Sequence, residues 1–189
     1  GEAAPGHAVT RSGARPGDIL YVTGHLGGAQ LGLELVLRGM YHERRWQGLL
    51  RPHFYPELRI EFGRWLASRR LASAMIDTSD GLSTDVGHLC SASRVGARLW
   101  AGHIPRVQIP PALRRHGFDP LELALHGGED YQLLFAVPRR FEARIPRSYR
   151  RGPITAIGEV TRGRSLVLVA GDGRTTPLVP AGWNHFRSR

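Results

Sequence analysis

Apolar residues along this chain come in short runs, and each run ends at a glycine, a proline or a polar cluster. Six of the runs have the character of buried strands: "DILYVTG" (18–24), "SAMID" (73–77), "VGARLW" (95–100), "YQLLFAVP" (131–138), "ITAIGEV" (154–160) and "SLVLVAG" (165–171). Between them the apolar spacing widens to that of a helix. Leu31, Leu35 and Leu37 predict a helix that starts near Gly28. Pro56 suits a first helical position, and Leu58, Phe62, Trp65, Leu66 and Arg69 trace one face behind it. "LSTDVGHLCSAS" (82–93) and "DPLELALHG" (119–127) predict two more helices, with Ser79 or Asp80 capping the first of these. Residues 39–55 read as a loop, and "QIPPALRRHG" as a proline-rich turn. Strands alternating with helices predict an α/β fold: a two-layer sandwich, its mixed β-sheet covered on one face by helices.

Composition narrows this picture only a little. At 189 residues the chain suits one domain with a real core, and no repeat, heptad array or low-complexity tract interrupts it. All 26 basic residues are arginine and the formal charge is +10, which predicts affinity for polyanions at low salt. The arginines are scattered in pairs beside apolar helical positions, the pattern of a solvated surface rather than a nucleic-acid stripe. A single cysteine, Cys90, excludes an internal disulfide and a cysteine-based zinc site, and fits a reducing compartment such as the cytoplasm. No apolar run approaches the length of a membrane span, and the first residues lack the apolar core of a signal peptide. The chain does not begin with methionine and reads as a piece of something longer.

Four stretches could carry chemistry. "MIDTSDGL" (75–82) gathers two carboxylates, Asp77 and Asp80, at the end of a strand, where α/β proteins tend to hold ligands. The two acids could converge on a hard cation such as Mg²⁺, or Ser79 or Asp80 could merely cap the helix behind them. "HGGEDYQLLF" (126–135) places Glu129 and Asp130 after two glycines, which either turn amides toward an anion or simply end a helix. In "VTRSGARPGD" (9–18), Arg11 beside Ser12 and Gly13 suits a phosphate contact, or an exposed turn. In "AGWNHF", Trp183 offers a platform for a flat or cationic ring, or a staple for the tail. "TGHLGGAQLG" is not a nucleotide fingerprint, since it lacks the G-x-G-x-x-G order and a Walker lysine.

Taken together and in order, "TRSGARPGDILYVTG", "LRPHFYPELR", "AMIDTSDGLSTDVGHLC", "ALHGGEDYQLLFAVP", "IGEVT" and "GWNHF" resemble the thiamine-monophosphate kinases over nearly the whole chain. The wider fold family includes aminoimidazole ribonucleotide synthetase, whose C-terminal domain this fold would share. The resemblance implies Mg²⁺-assisted, in-line transfer of the γ-phosphoryl group of ATP to thiamine monophosphate, a reaction that needs positioning and charge neutralisation more than a base. It implies that Asp77 and Asp80 are metal ligands, that Arg11 and Ser79 meet ATP, and that Glu129 and Trp183 meet thiamine monophosphate. Residues 1–15 then correspond to an interdomain connection and 16–189 to the C-terminal domain. The family's N-terminal Mg/ATP-binding domain, through which its members form homodimers, is absent, so the isolated chain would be inactive. Gln132 stands where the family has glutamate in G-G-E-D-Y-E-L, which reads as a modest surface change. Two other readings remain: another ATP-dependent enzyme of the superfamily with a different acceptor, and an arginine-rich nucleic-acid module.

Overall fold

The six apolar runs form strands β1 (Ile19–Thr23), β2 (Ala74–Asp77), β3 (Gly96–Trp100), β4 (Leu133–Val137), β6 (Gly152–Thr161) and β7 (Leu166–Val169). Two short strands, β5 (Ser148–Tyr149) and β8 (Thr175–Pro177), complete a sheet of order β2-β4-β1-β6-β3-β7-β8, with β5 on the start of β6. The computed structural model describes residues 5–6, 8–150 and 152–182. Neighbouring strands run antiparallel except β3 and β7, so the sheet is mixed, as expected.

Strand β1 sits near the middle with all five residues buried, and its two-residue side-chain period feeds two cores. Leu20 and Val22 join Leu82, Val86 and Leu89 of α4 (Leu82–Ser93) and Leu125 of α6 (Pro120–His126). Ile19 and Tyr21 face the other way, onto Phe62 and Leu66 of α3 (Ile60–Ser68) and onto Phe135. The sheet is thus covered by α4 and α6 on one face, as expected, and in part by α3 on the other. A third cluster packs α1 (Gly28–Leu37) and α2 (Gln47–Phe54) against Ile109, Phe118 and Leu113 of α5 (Pro111–Arg114).

Two expectations need correction. Residues 39–55 are not simply a loop, because α2 occupies their second half. Helix α3 begins at Ile60 rather than Pro56: Leu58 and Ile60 are exposed, and the buried stripe starts at Phe62. None of the described helices is long and apolar enough to cross a membrane.

Candidate functional site

Strand pairing explains how two distant motifs meet. Strands β2 and β4 are antiparallel with Asp77 opposite Leu133, so the loop leaving β2 lies beside the loop entering β4. Backbone hydrogen bonds lace the two together. Thr78 N donates to Gln132 O (2.8 Å), Tyr131 N to Thr78 O (3.0 Å) and Glu129 N to Ser79 O (2.9 Å). Gln132 N adds a bond to Thr78 Oγ1 (3.0 Å). Over this seam lies a cleft of about 480 Å³, walled by Ala29, Gln30 and Leu33 of α1, His53 of α2, and Ser79, Asp80, Gly128, Glu129 and Tyr131.

Asp77 is exposed at the strand end, and Asp80 is partly covered, with His88 Nε2 3.8 Å from its carboxylate. Neither Ser79 nor Asp80 caps α4, contrary to expectation. The cap position is Gly81, at φ 106°, packed so close to the backbone of His126 that a side chain would crowd it. A third acid joins the turn. Asp85 is 1% exposed, and one of its carboxylate oxygens lies 3.3 Å from Asp80 N. Burial, and then the charges of Asp80 and Asp77, push its carboxyl up to about 7. The sequence reading missed Asp85, although its place in the first turn of a helix beginning at an acidic loop was a signal.

Glu129 is exposed beside the cleft in left-handed backbone (φ 64°), and Tyr131 shares that conformation (φ 50°). Asp130 between them turns inward: it is 6% exposed and accepts from Gly27 N (2.6 Å) and Ala29 N (3.0 Å). Burial pushes its carboxyl up to about 6 although those amide bonds pull it down.

Gln132 is not a surface change. It is 5% exposed, and its Oε1 accepts from Thr23 Oγ1 (3.0 Å) and from Nε of the buried Arg59 (2.8 Å). Its Nε2 donates to Asp130 O (3.2 Å). The amide satisfies a buried guanidinium on one side and a carbonyl on the other, which a carboxylate could not do.

Among the sequence-derived candidates, Ser79, Asp80 and Glu129 line one cleft, with Asp77 at the strand end that leads into it. Arg11 is exposed and does not line the cleft. Its neighbour Thr10 pairs with Met75, and its own carbonyl accepts from Ser93 Oγ (3.2 Å). Trp183 lies outside the described residues. The segment before it docks on α4: Gly182 N donates to Thr84 Oγ1 (3.1 Å), and Ala181 N lies 3.4 Å from Ser83 Oγ. Gly182 is pressed so close to the carbonyl of Asp80 that any Cβ there would collide.

Two carboxylates at the strand-end turn, Asp77 and Asp80, with Asp85 buried behind them, are oxygen donors of the kind a hard divalent cation takes. Mg²⁺ typically takes one or two protein carboxylates and completes its shell with water and phosphate, and Asp77 and Asp80 fit that role. Among the described residues no group of three His, Cys, Asp or Glu side chains is arranged to hold a metal ion.

The paired loops, the acid-rich turn and the adjoining cleft lie at one end of the mixed sheet of an α/β domain. The chain belongs to the family described as AIR synthase related protein, C-terminal domain, whose profile matches residues 15–171. It is 38% identical over 188 residues to the thiamine-monophosphate kinase of Escherichia coli (strain K12), covering 96% of this chain and 56% of that protein. A solved structure described as AaThiL complexed with AMPPCP and TMP superposes with a TM-score of 0.75 at 35% identity, over 94% of this chain and 54% of that one. The thiamine-monophosphate kinase of Stenotrophomonas maltophilia K279a gives 0.73 at 29% identity, over 92% and 56%. The chain therefore spans about half the length of the relatives it matches.

Proposed function

We propose that this chain is the C-terminal domain (residues 16–189, with 1–15 as the connection) of a thiamine-monophosphate kinase. Such an enzyme transfers the γ-phosphoryl group of ATP to thiamine monophosphate, giving thiamine diphosphate. The observation that carries the reading is the hydrogen-bonded union of the Asp77–Asp80 turn with the Gly128–Gln132 loop around one cleft. Similarity to the E. coli kinase and to a structure holding AMPPCP and TMP supports it.

In this reading Asp77 and Asp80 hold Mg²⁺, which when bound supplies neutralisation of phosphate charge. Ser79 and the uncapped start of α4 face the phosphates of ATP, and the helix dipole favours their charge. Asp85, buried behind the turn, holds the Asp80 amide. Glu129 complements the cationic thiazolium or accepts from the amino group of the pyrimidine, and Trp183 stacks on a ring. Arg11, outside the cleft, would reach ATP only across an interface with the N-terminal Mg/ATP-binding domain. That domain would also form the homodimer, and the whole would work in the cytoplasm. Nucleic acid is not a partner in this reading: several arginines are spent on local carboxylates, as in Arg38–Glu34, Arg98–Glu159 and Arg174–Asp172.

The test is direct. An intact protein carrying this domain, supplied with ATP, Mg²⁺ and thiamine monophosphate, should yield thiamine diphosphate on chromatography, whereas the 189-residue chain alone should not. Turnover of a different acceptor in place of thiamine monophosphate would move the assignment to another ATP-dependent enzyme of the superfamily.

A further inference from the structure

The G-G-E-D-Y segment offers two adjacent acids, and the structure divides their work. Glu129 opens to solvent beside the cleft. Asp130 is buried and spends both carboxylate oxygens on the first turn of α1, one on Gly27 N and one on Ala29 N. Helix α1 forms one wall of the cleft through Ala29, Gln30 and Leu33, while the loop that carries Asp130 forms the opposite wall through Glu129 and Tyr131. These two flanking residues are held in left-handed backbone, which costs a non-glycine residue about 1–3 kcal/mol and persists only where surrounding contacts enforce it. No side chain of α1 itself caps its start, so the charge-assisted bonds to Asp130 are what satisfy those amides.

We infer that Asp130 is a positioning residue: its carboxylate ties the start of α1 to the Gly128–Tyr131 loop and thereby fixes the two walls of the cleft at one spacing. It touches no ligand and acts through Glu129, Tyr131 and α1. Only the ligand arm of the test below rests on the function proposed above.

Asp119 provides a matched control. It too satisfies amides at a helix start, accepting from Leu121 N (2.7 Å), but as the exposed N-cap of α6 itself, outside the cleft. The experiment compares wild type, Asp130→Asn and Asp119→Ala as ¹⁵N-labelled 189-residue chains. Thermal melts establish the folded fraction, amide shifts and hydrogen exchange report the walls, and a thiamine monophosphate titration reports binding. Asp130→Asn should speed exchange at Gly27 and Ala29 roughly tenfold, shift the Glu129 and Tyr131 amides with them, and weaken thiamine monophosphate roughly tenfold. Asp119→Ala should lose stability and leave all of those signals in place. Cleft amides in Asp130→Asn that match those of Asp119→Ala would overturn the inference. Failure of wild type to bind thiamine monophosphate would count against the proposed ligand, and the exchange arm would still decide the role of Asp130. Should Asp130→Asn not fold, native-state exchange of wild type decides instead. Gly27, Ala29, Glu129 and Tyr131 opening with one shared free energy supports the tie, and independent opening overturns it.

Discussion

Two helices start at the same end of the sheet by the same grammar of strand, polar turn, glycine and helix, and they are put to opposite uses. At the start of α1 the cap position is Gly27, and a buried acid from a distant loop, Asp130, takes two of its amides. At the start of α4 the cap position is Gly81, no side chain caps the helix, and Asp77, Asp80 and Asp85 crowd the turn instead. The first start is closed: its dipole and donors are consumed within the fold. The second is open: it has no side-chain cap, and burial together with the charges of Asp80 and Asp77 pushes the carboxyl of Asp85 up within it. A glycine before a helix therefore says little about ligand binding until one knows where the helix's free amides go.

The largest effect should come from the open start. In an intact enzyme carrying this domain, Asp80→Asn should lower kcat by on the order of 100-fold or more at saturating Mg²⁺, since a lost metal ligand removes several kcal/mol of charge stabilisation. Its melting temperature should barely move, because no cap is lost. Retained activity would erase the contrast between the two starts.

The closed start should respond in the reverse sense. Asp130→Ala leaves buried amides at Gly27 and Ala29 without acceptors and should cost about 2–4 kcal/mol by urea unfolding. Asp119→Ala at the more exposed α6 cap should cost only about 1 kcal/mol. Equal losses would mean that the burial of Asp130 is energetically idle.

Acidity sharpens the comparison further. The folded carboxyl of Asp130 sits at about 6, above its ordinary value of 3.8, so between those values the folded chain binds a proton that the unfolded chain does not. Its contribution to stability thus grows as pH falls from about 6 toward 4, and is lost as pH rises back through 6. Asp85, at about 7, adds a slope of the same sign, so urea midpoints at pH 4.5 and 7 should still differ in Asp130→Asn, but by about 1–3 kcal/mol less than in wild type.

The smallest effect concerns the segment docked on α4. Thr84→Val removes the acceptor of Gly182 N and should cost about 1 kcal/mol or less, with faster exchange confined to the Gly182 amide. Faster exchange spreading through α4 would show that the segment caps the helix rather than resting on it.

Much of this architecture was legible in the sequence. All six apolar runs are strands, because burial of both sheet faces selects the compact apolar stretches that also mark them in sequence. Helix α2 was hidden, since no residue in it is fully buried and Pro52 lies inside it. The start of α3 was misplaced because Leu58, apolar and four residues before Phe62, faces solvent ahead of the helix. At the site, strand ends located Asp77, Ser79, Asp80 and Glu129. Asp130 and Gln132 were not legible because their burial is created by chain more than 40 residues away, which no local pattern encodes, whereas Asp85 carried a local signal in its place in the first turn of α4. Gln132 shows this most clearly, being polar in sequence and at the centre of a buried guanidinium network in space.

The position of β1 has a consequence for the order of synthesis. It is made well before its partners β4 and β6, which begin at residues 133 and 152, so its edges stay unpaired until about 110 further residues exist. At ribosomal speeds of about 5–20 residues per second, that wait is roughly 5–30 s. Through that interval the nascent chain carries a bare, fully apolar Ile-Leu-Tyr-Val segment with two open hydrogen-bonding edges. Such a segment is a natural station for a chaperone and, where none is available, the place where aggregation would begin.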